Sequence, residues 1–347
     1  MKALLLAGGL GTRLRPLTEN MPKPMALVGN RPWLEHLILH YKQQGIDSFV
    51  IAVKHYRQII ESYFGDGSKL GVSIDYAVEK DLLGTAGAIK NAEPLLGDRF
   101  IVVNADIIHH IDLKSAIRFH DDHDGMVTIC LTKVEDPSSY GVVEMGEADR
   151  IRSFVEKPKA GEAPSNWVNA GIYIMDRAVL GYIPSGRAVS IEKETFPLLI
   201  RNGSGVYGHR MNGYWMDMGT TERYRQLHWD VLDRRFPLPI DGKELDDKGI
   251  WLGDNAKIGQ GVLLVPPVMI GNNVTIGDRS IIGPYSVVGN GCRIGGGVRM
   301  ANTILWDRCK IRSGAQLNKC IFGSGTHAGP HILHEAVCNR ALEVQRP

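Results

Sequence analysis

Apolar positions along the chain follow three periods, and each predicts a different element. A short apolar run at 3–7 (ALLLA) has the length of a buried strand, as do 49–53, Ser73–Val78 and 100–104. Between them, 33–44, Arg57–Phe64 and 113–121 space apolar residues three and four apart, as amphipathic helices do, with Gly45 and Gly65 placed as stops. This alternation predicts an α/β layered domain with a largely parallel sheet. Farther on, Val127–Lys133, 142–145, 151–155 and 168–175 follow one another with fewer helices between them. The sheet is therefore expected to become mixed before a last helix at 220–233.

After Arg235 the period becomes six. A Pro/Gly-containing connector (FPLP, then Asp241-Gly242) leads to Leu252, Ile258, Leu264, Ile270, Ile276, Ile282, Val288, Ile294 and Met300, most of them followed directly by glycine. A second series at the same period, from Ala256 and Val262 through Ser280, Ser286 and Cys292 to Val298, is small or β-branched. Helices do not repeat at six, whereas a parallel β-helix of hexapeptide rungs does, three rungs to a coil. The count slips once, to Leu305, and resumes at Ile311 and Leu317, which places a one-residue deletion or bulge near Trp306. Roughly four coils fit between Leu252 and Phe322. The repeat is read as ending at Gly323, with 325–347 as a cap or tail. The expected domains are thus 1–235, a linker at 236–249, and 250–347.

Composition narrows the partners. A chain of 347 residues with net charge +2 and 22% charged residues carries no broad field for nucleic acid or an anionic membrane. Its five cysteines are odd in number and lack C-x-x-C spacing, which disfavours a disulfide framework and a zinc site. No apolar run reaches about 18 residues and no leader segment is evident, so a cytoplasmic setting is expected. His36 and His40 stand one helical turn apart without an evident third ligand and read as packing or surface residues.

The chemistry gathers at strand ends. The first strand stops at Gly8, Gly9 and Gly11, followed by Thr12, Arg13 and Arg15, then Lys23 between two prolines. Backbone N–H groups and cations so close together suit a polyphosphate. The third glycine of a dinucleotide fingerprint is missing and no Gly-Lys-Ser/Thr follows, so neither a dinucleotide site nor a Walker loop is read. Asp106 closes a strong strand, and Asp217 precedes the last helix. Such carboxylates either cap turns or share a divalent cation against phosphate oxygens. Lys157 ends one strand and Asn169 begins another, positions that also suit an ordinary solvated lysine and amide.

In order, the motifs GTRL…PKP, LGTAG, NAD, Tyr140-Gly141, EKP, NAGIY and WMDMGT closely resemble those of the sugar-1-phosphate nucleotidyltransferases, or nucleotide-sugar pyrophosphorylases, across some 220 residues. A β-helix is a frequent companion domain there. The resemblance implies a Rossmann-like nucleotidyltransferase domain with a mixed sheet, followed by a left-handed parallel β-helix. It assigns Arg13 and Lys23 to the triphosphate and departing pyrophosphate, and Lys157 to the sugar phosphate. Leu6, Gly8, Gly9, Gly11, Thr12, Gly84, Thr85 and Gly87 would line the nucleotide, Gly141, Glu156 and Asn169 the sugar, and Asp106 and Asp217 would hold Mg²⁺. The metal motif is often Asn-Gly-Asp in the family and here is Asn104-Ala105-Asp106. The implied substrates are a nucleoside triphosphate and a sugar 1-phosphate, with subunit contact through the β-helix of a homo-oligomer.

Glu79 lies where relatives specific for uridine or thymidine commonly place glutamine. An ionised carboxylate only accepts hydrogen bonds, and guanine offers it N1–H and N2–H₂ together. GTP, and with it mannose 1-phosphate, is therefore the favoured pair. The alternatives are glucose 1-phosphate with a thymidylyl, uridylyl or cytidylyl donor, and a non-catalytic regulatory subunit. A β-helix acyltransferase using His327, His331 or His334 is disfavoured, since these histidines are read as lying beyond the last rung.

Overall fold

A computed structural model describes residues 1–9, 11–159, 161–245 and 248–339. The chain divides into two compact units, one of Met1–Leu10, Pro22–Pro24 and Leu34–Asp217, the other of Gly11–Met21, Met25–Trp33 and Met218–Pro347. The division is not a single cut near residue 235. Two N-terminal segments and the last helix group with the hexapeptide repeat.

The first unit is built on a nine-stranded mixed sheet. Its strands are β1 (Lys2–Leu6), β2 (Ser48–Val53), β3 (Ser73–Val78), β4 (Arg99–Asn104), β6 (Val127–Lys133), β7 (Gly141–Met145), β8 (Ile151–Glu156), β9 (Trp167–Asp176) and β10 (Val206–Arg210); a separate two-stranded ribbon pairs β5 (Ile107–His109) with β11 (Trp215–Asp217). The path runs β8-β7-β9-β4-β1-β2-β3, with β6 on β9 and β10 on β6. Strands β1 to β4 pair in parallel, and β9 runs antiparallel to β4, β6 and β7. The later strands thus supply the antiparallel half, as their close succession predicts. Leu4, Val50, Phe100, Val102, Ile129 and Tyr173 lie in the core that the sheet buries. The connecting helices are α1 (Trp33–Gln43), α2 (Arg57–Phe64), α3 (Gly84–Asn91), α4 (Leu113–Asp122) and α5 (Phe196–Arg201). No described helix is long and apolar enough to cross a membrane.

In the second unit the hexapeptide repeat forms a three-faced parallel β-helix, the architecture expected for the left-handed class. One face stacks Lys257–Ile258, Thr275–Ile276, Arg293–Ile294, Lys310–Ile311 and His327–Ala328 in register. Aliphatic Ile270, Ile276, Ile282, Val288, Ile294 and Met300 fill the axis. The small series is partly buried at Ala256 and Val262 and buried from Val268 on, and past the slip it continues as Thr303, Cys309, Ala315, Cys320 and Thr326. Three of the five cysteines are therefore packing residues; a hydrogen bond with Cys292, then burial, raises the Cys309 thiol, and burial raises that of Cys320, away from reactivity. Side chains of Asn272, Asn290 and Asp307 each accept the N–H of the equivalent residue one coil earlier, which satisfies one corner of the stack.

The repeat does not end at Gly323. Strands His327–Ala328, Ile332–His334 and Val337–Cys338 carry it through a fifth coil into a sixth. Val268 pairs with Ser286 eighteen residues on, Val287 with Ile304 seventeen on, and Ile321 with Val337 sixteen on. A second deletion, between His327 and Ile332, breaks the count again, and Ala328 stands where an aliphatic residue was expected. His327 and His334 consequently lie on rungs, not beyond them. The last part of the expected cap, 340–347, falls outside the described residues. Residues 243–245 of the expected linker form a strand antiparallel to Ile250–Leu252. Helix α6 (Thr221–Leu232) is capped by Thr220, whose hydroxyl accepts from Arg223 N–H. Tyr224 on α6 accepts from Trp306 Nε1 at 2.7 Å, and Arg225 donates to the Lys319 carbonyl at 3.0 Å.

Candidate active site

The two aspartates that the sequence separates by 111 positions are brought together by the small ribbon. Asp217 pairs with Ile107, the residue after Asp106, so the antiparallel register sets both carboxylates at one end of β5 and β11. Lys23 lies between them. Its Nζ is 2.7 Å from Asp106 Oδ2 and 3.3 Å from Asp217 Oδ1, and its side chain is only 7% exposed. The two carboxylates therefore point at a common position, and it is held here by an ammonium. The motif places Lys23 at the triphosphate; the structure adds that it is the counter-ion of the acidic pair.

On the same ribbon His109 is buried, with neither ring nitrogen hydrogen-bonded among the described residues. Burial, then the charges of His40 and His110, hold its pKa down to about 3, and burial first holds His40 down to about 4. The sign follows from linkage. The unfolded chain takes up these protons near pH 6.5 and the folded chain does not, so stability falls as pH drops below 6.5 and continues to fall until the folded values are reached. At pH 5 His109 alone accounts for about 2 kcal/mol. Urea midpoints at pH 7 and pH 5 test this: His109→Phe flattens the loss, and an unchanged pH slope contradicts it.

A second cluster forms where β8 and β9 end. Strand β9 shifts register between Asn169 and Tyr173, and Gly171 there takes φ +75°. An added Cβ would lie 2.8 Å from Asn104 Nδ2, so this bulge tolerates only glycine. The bulge is fixed by Asn169, which accepts from Gly171 N–H at 2.9 Å and donates to Tyr173 Oη at 2.8 Å, and by Trp215 Nε1 on the Ala170 carbonyl at 3.0 Å. Tyr140 packs edge-on to Trp215. Glu156 pairs with Gly141 across the β7–β8 hairpin. Its carboxyl is pushed above the ordinary range by burial first and then by Glu192, against the pull of Lys157. Such a carboxyl can meet a sugar hydroxyl as acceptor or as donor. Lys157 is exposed, in the left-handed region at φ +50°, with its N–H on the Tyr140 carbonyl at 2.9 Å and Nζ 3.5 Å from Glu156 Oε1.

Glu79, at the exit of β3, is buried against the first loop. A Cβ on Gly8 would lie 3.1 Å from its Oε1, and Oε2 accepts from Leu83 N–H at 3.3 Å. Burial raises its pKa, while the Leu83 N–H, Lys54 and His55 favour the ionised form. Leu6 and Gly8 to Gly9 lead out of β1 beside it. Gly84, Thr85 and Gly87 have a packing duty: Ala86 and Gly87 N–H both reach the Val189 carbonyl, and Thr85 Oγ1 donates to Glu192 Oε2 at 2.9 Å. A Cβ at Gly84 would lie 2.6 Å from the Val189 oxygen. Gly11, Thr12 and Arg13 belong to the second unit, where Gly11 takes φ 58° and opens the turn Thr12–Leu14. Glu192 was not singled out from sequence. It lies in an irregular helical turn, Ile191–Thr195, whose alternating charges carry no periodic signal.

Residues 2–234 match the family model described as nucleotidyl transferase, and residues 264–345 match the one described as GMPPB C-terminal domain. The chain is 37% identical to a mannose-1-phosphate guanylyltransferase of Mycobacterium tuberculosis, over 78% of this chain and 74% of that one. It is 36% identical to a UTP–glucose-1-phosphate uridylyltransferase of Synechocystis, over 93% and 87%. A putative glucose-1-phosphate thymidylyltransferase structure from Bacillus anthracis superposes with a TM-score of 0.61 at 29% identity, covering 68% of this chain and 96% of that one.

Proposed function

Because the chain belongs to the nucleotidyl transferase family as a sugar-1-phosphate nucleotidyltransferase, we propose that it transfers a guanylyl group from GTP to mannose 1-phosphate, giving GDP-mannose and pyrophosphate. The observation that carries the reading is the convergence of Asp106 and Asp217 on one cation position. A phosphate oxygen of the sugar phosphate forms the new bond to the α-phosphorus as the bond to the β-phosphate oxygen breaks. Two polyanions must meet for this, so the chain's task is to position and neutralise them. Lys157 faces the sugar phosphate, Glu156 and Asn169 take sugar hydroxyls, and Glu79 accepts from the guanine edge. Arg13 and the Gly11–Thr12 backbone follow the family motif on the triphosphate side.

Two hard carboxylate oxygens directed at one point suit Mg²⁺, which completes its shell with phosphate oxygens and water. Asp106 and Asp217 would hold it, and when bound it would neutralise phosphate charge. With the carboxylates so engaged, the Lys23 ammonium would be available to the departing pyrophosphate. The β-helix fits subunit contact within a homo-oligomer, and a cytoplasmic setting suits the free thiols of Cys130, Cys292, Cys309 and Cys320.

A panel of five nucleoside triphosphates against mannose and glucose 1-phosphates, read by pyrophosphate release, tests the pairing. Glu79→Gln lowers kcat/KM for GTP about tenfold or more, the cost of one mismatched polar contact, and improves UTP or dTTP relative to it. Wild-type preference for UTP or dTTP overturns the guanine assignment and returns the chain to the uridylyl or thymidylyl class.

A further inference from the structure

We infer that one face of the β-helix carries a second anion site, which takes a ligand of the diphosphate class. A groove of about 750 Å³ is lined there by Arg293, Lys310, Arg312, Ser313, His327 and Pro330, with no carboxylate in its wall. Arg293, Lys310 and His327 head strands of consecutive coils in register, so their side chains stack at about the 4.8 Å strand spacing. Arg312 is placed differently. Its neighbours in register are Gly295 before it and Gly329 after it, so neither adjacent rung sets a side chain of its own beside Arg312. On the Gly295 side backbone packing excludes a side chain, since a Cβ there would lie 2.4 Å from Ser313 N; on the other side the His331 ring lies against Gly329.

Like charges on adjacent rungs repel, so the fold gains nothing from this row. Some cations of the same unit are matched, as Arg31 is by Asp241 and Arg235 by Asp230. Arg293, Lys310 and Arg312 have no ion-pair partner among the described residues, which leaves neutralisation to a bound anion. Three rungs span about 10 Å, the reach of two or three linked phosphates and their oxygens. Ser313 Oγ accepts from Gly296 N–H at 3.1 Å and keeps its own proton to donate to a phosphate oxygen. The concavity and the chain's small net charge favour a compact anion over a bilayer or a nucleic acid.

Equilibrium dialysis of labelled pyrophosphate against the full chain, without divalent metal, tests the site. The wild type shows a class of binding that the Arg293→Ala/Arg312→Ala double variant loses, with affinity reduced tenfold or more, and Lys310→Glu reproduces the loss. Matching circular dichroism melts show that these exposed substitutions leave the β-helix folded. The readout is bound pyrophosphate and not turnover, so it stands whatever reaction the sheet unit performs. Superimposable wild-type and variant isotherms overturn the inference. So does groove-dependent binding of phosphatidylglycerol vesicles or a DNA duplex that pyrophosphate fails to compete.

Discussion

Asp106→Ala and Asp217→Asn each lower kcat/KM for nucleotide-sugar formation about a thousandfold, the scale of the several kcal/mol a bound divalent cation supplies to phosphoryl chemistry. The reasoning is geometric. Both carboxylates lie within hydrogen-bond range of one ammonium, so losing either halves the protein's anionic contribution to the cation position. Mn²⁺ binding followed by electron paramagnetic resonance separates this from a folding defect, because each variant weakens Mn²⁺ in parallel with activity. Lys23→Met divides the roles further. It removes a competing cation, so Mn²⁺ binds as tightly as in wild type or more tightly, while turnover falls for want of a charge facing pyrophosphate. Near-wild-type turnover in either aspartate variant removes the metal assignment.

The legible parts of this molecule were those with a period. Strand β3, helix α2 and strand β6 carry the boundaries their apolar spacing predicts, because in each the apolar run stops where the element stops. The β-helix was visible for the same reason until its coils shortened from eighteen to sixteen residues, when Ala328 replaced a larger axial residue. A fixed six-residue count has no means of following a corner that loses one residue. In the site, Asp106 and Asp217 were recognisable as carboxylates beside strand and helix ends. Their meeting depends on a three-residue ribbon, Ile107–His109 with Trp215–Asp217, too short for any periodic signal. Lys23 shows the limit most clearly. A motif supplies its charge but not that the charge rests between two acids. Glu192 was illegible because its role comes from tertiary approach to Glu156 and Thr85, residues 36 and 107 positions away.

Lys157 carries the other large effect. Lys157→Ala lowers kcat/KM about a hundredfold to a thousandfold, chiefly through a higher KM for the sugar 1-phosphate, because a charge-assisted contact to a phosphate is lost. Backbone geometry sets this lysine, with Lys319, apart from most of the others. A β-carbon-bearing residue at φ +50° costs about 1 kcal/mol relative to glycine, and here the conformation is enforced by the N–H bond to Tyr140 at the end of β8. The side chain is 65% exposed and, among the described residues, its ion pair is with Glu156, so packing does not repay that strain. On the proposed reaction, the ammonium's partner in the complex is the sugar phosphate. Lys157→Gly therefore separates stability from function: the melting temperature is equal to wild type or higher, while turnover falls as in the alanine variant. Lys157→Arg keeps the charge and recovers part of the activity, limited by the different geometry of its fork. If Lys157→Gly instead lowers the melting temperature and leaves the KM for sugar phosphate unchanged, the lysine is a structural residue of the hairpin and the sugar phosphate must be neutralised elsewhere.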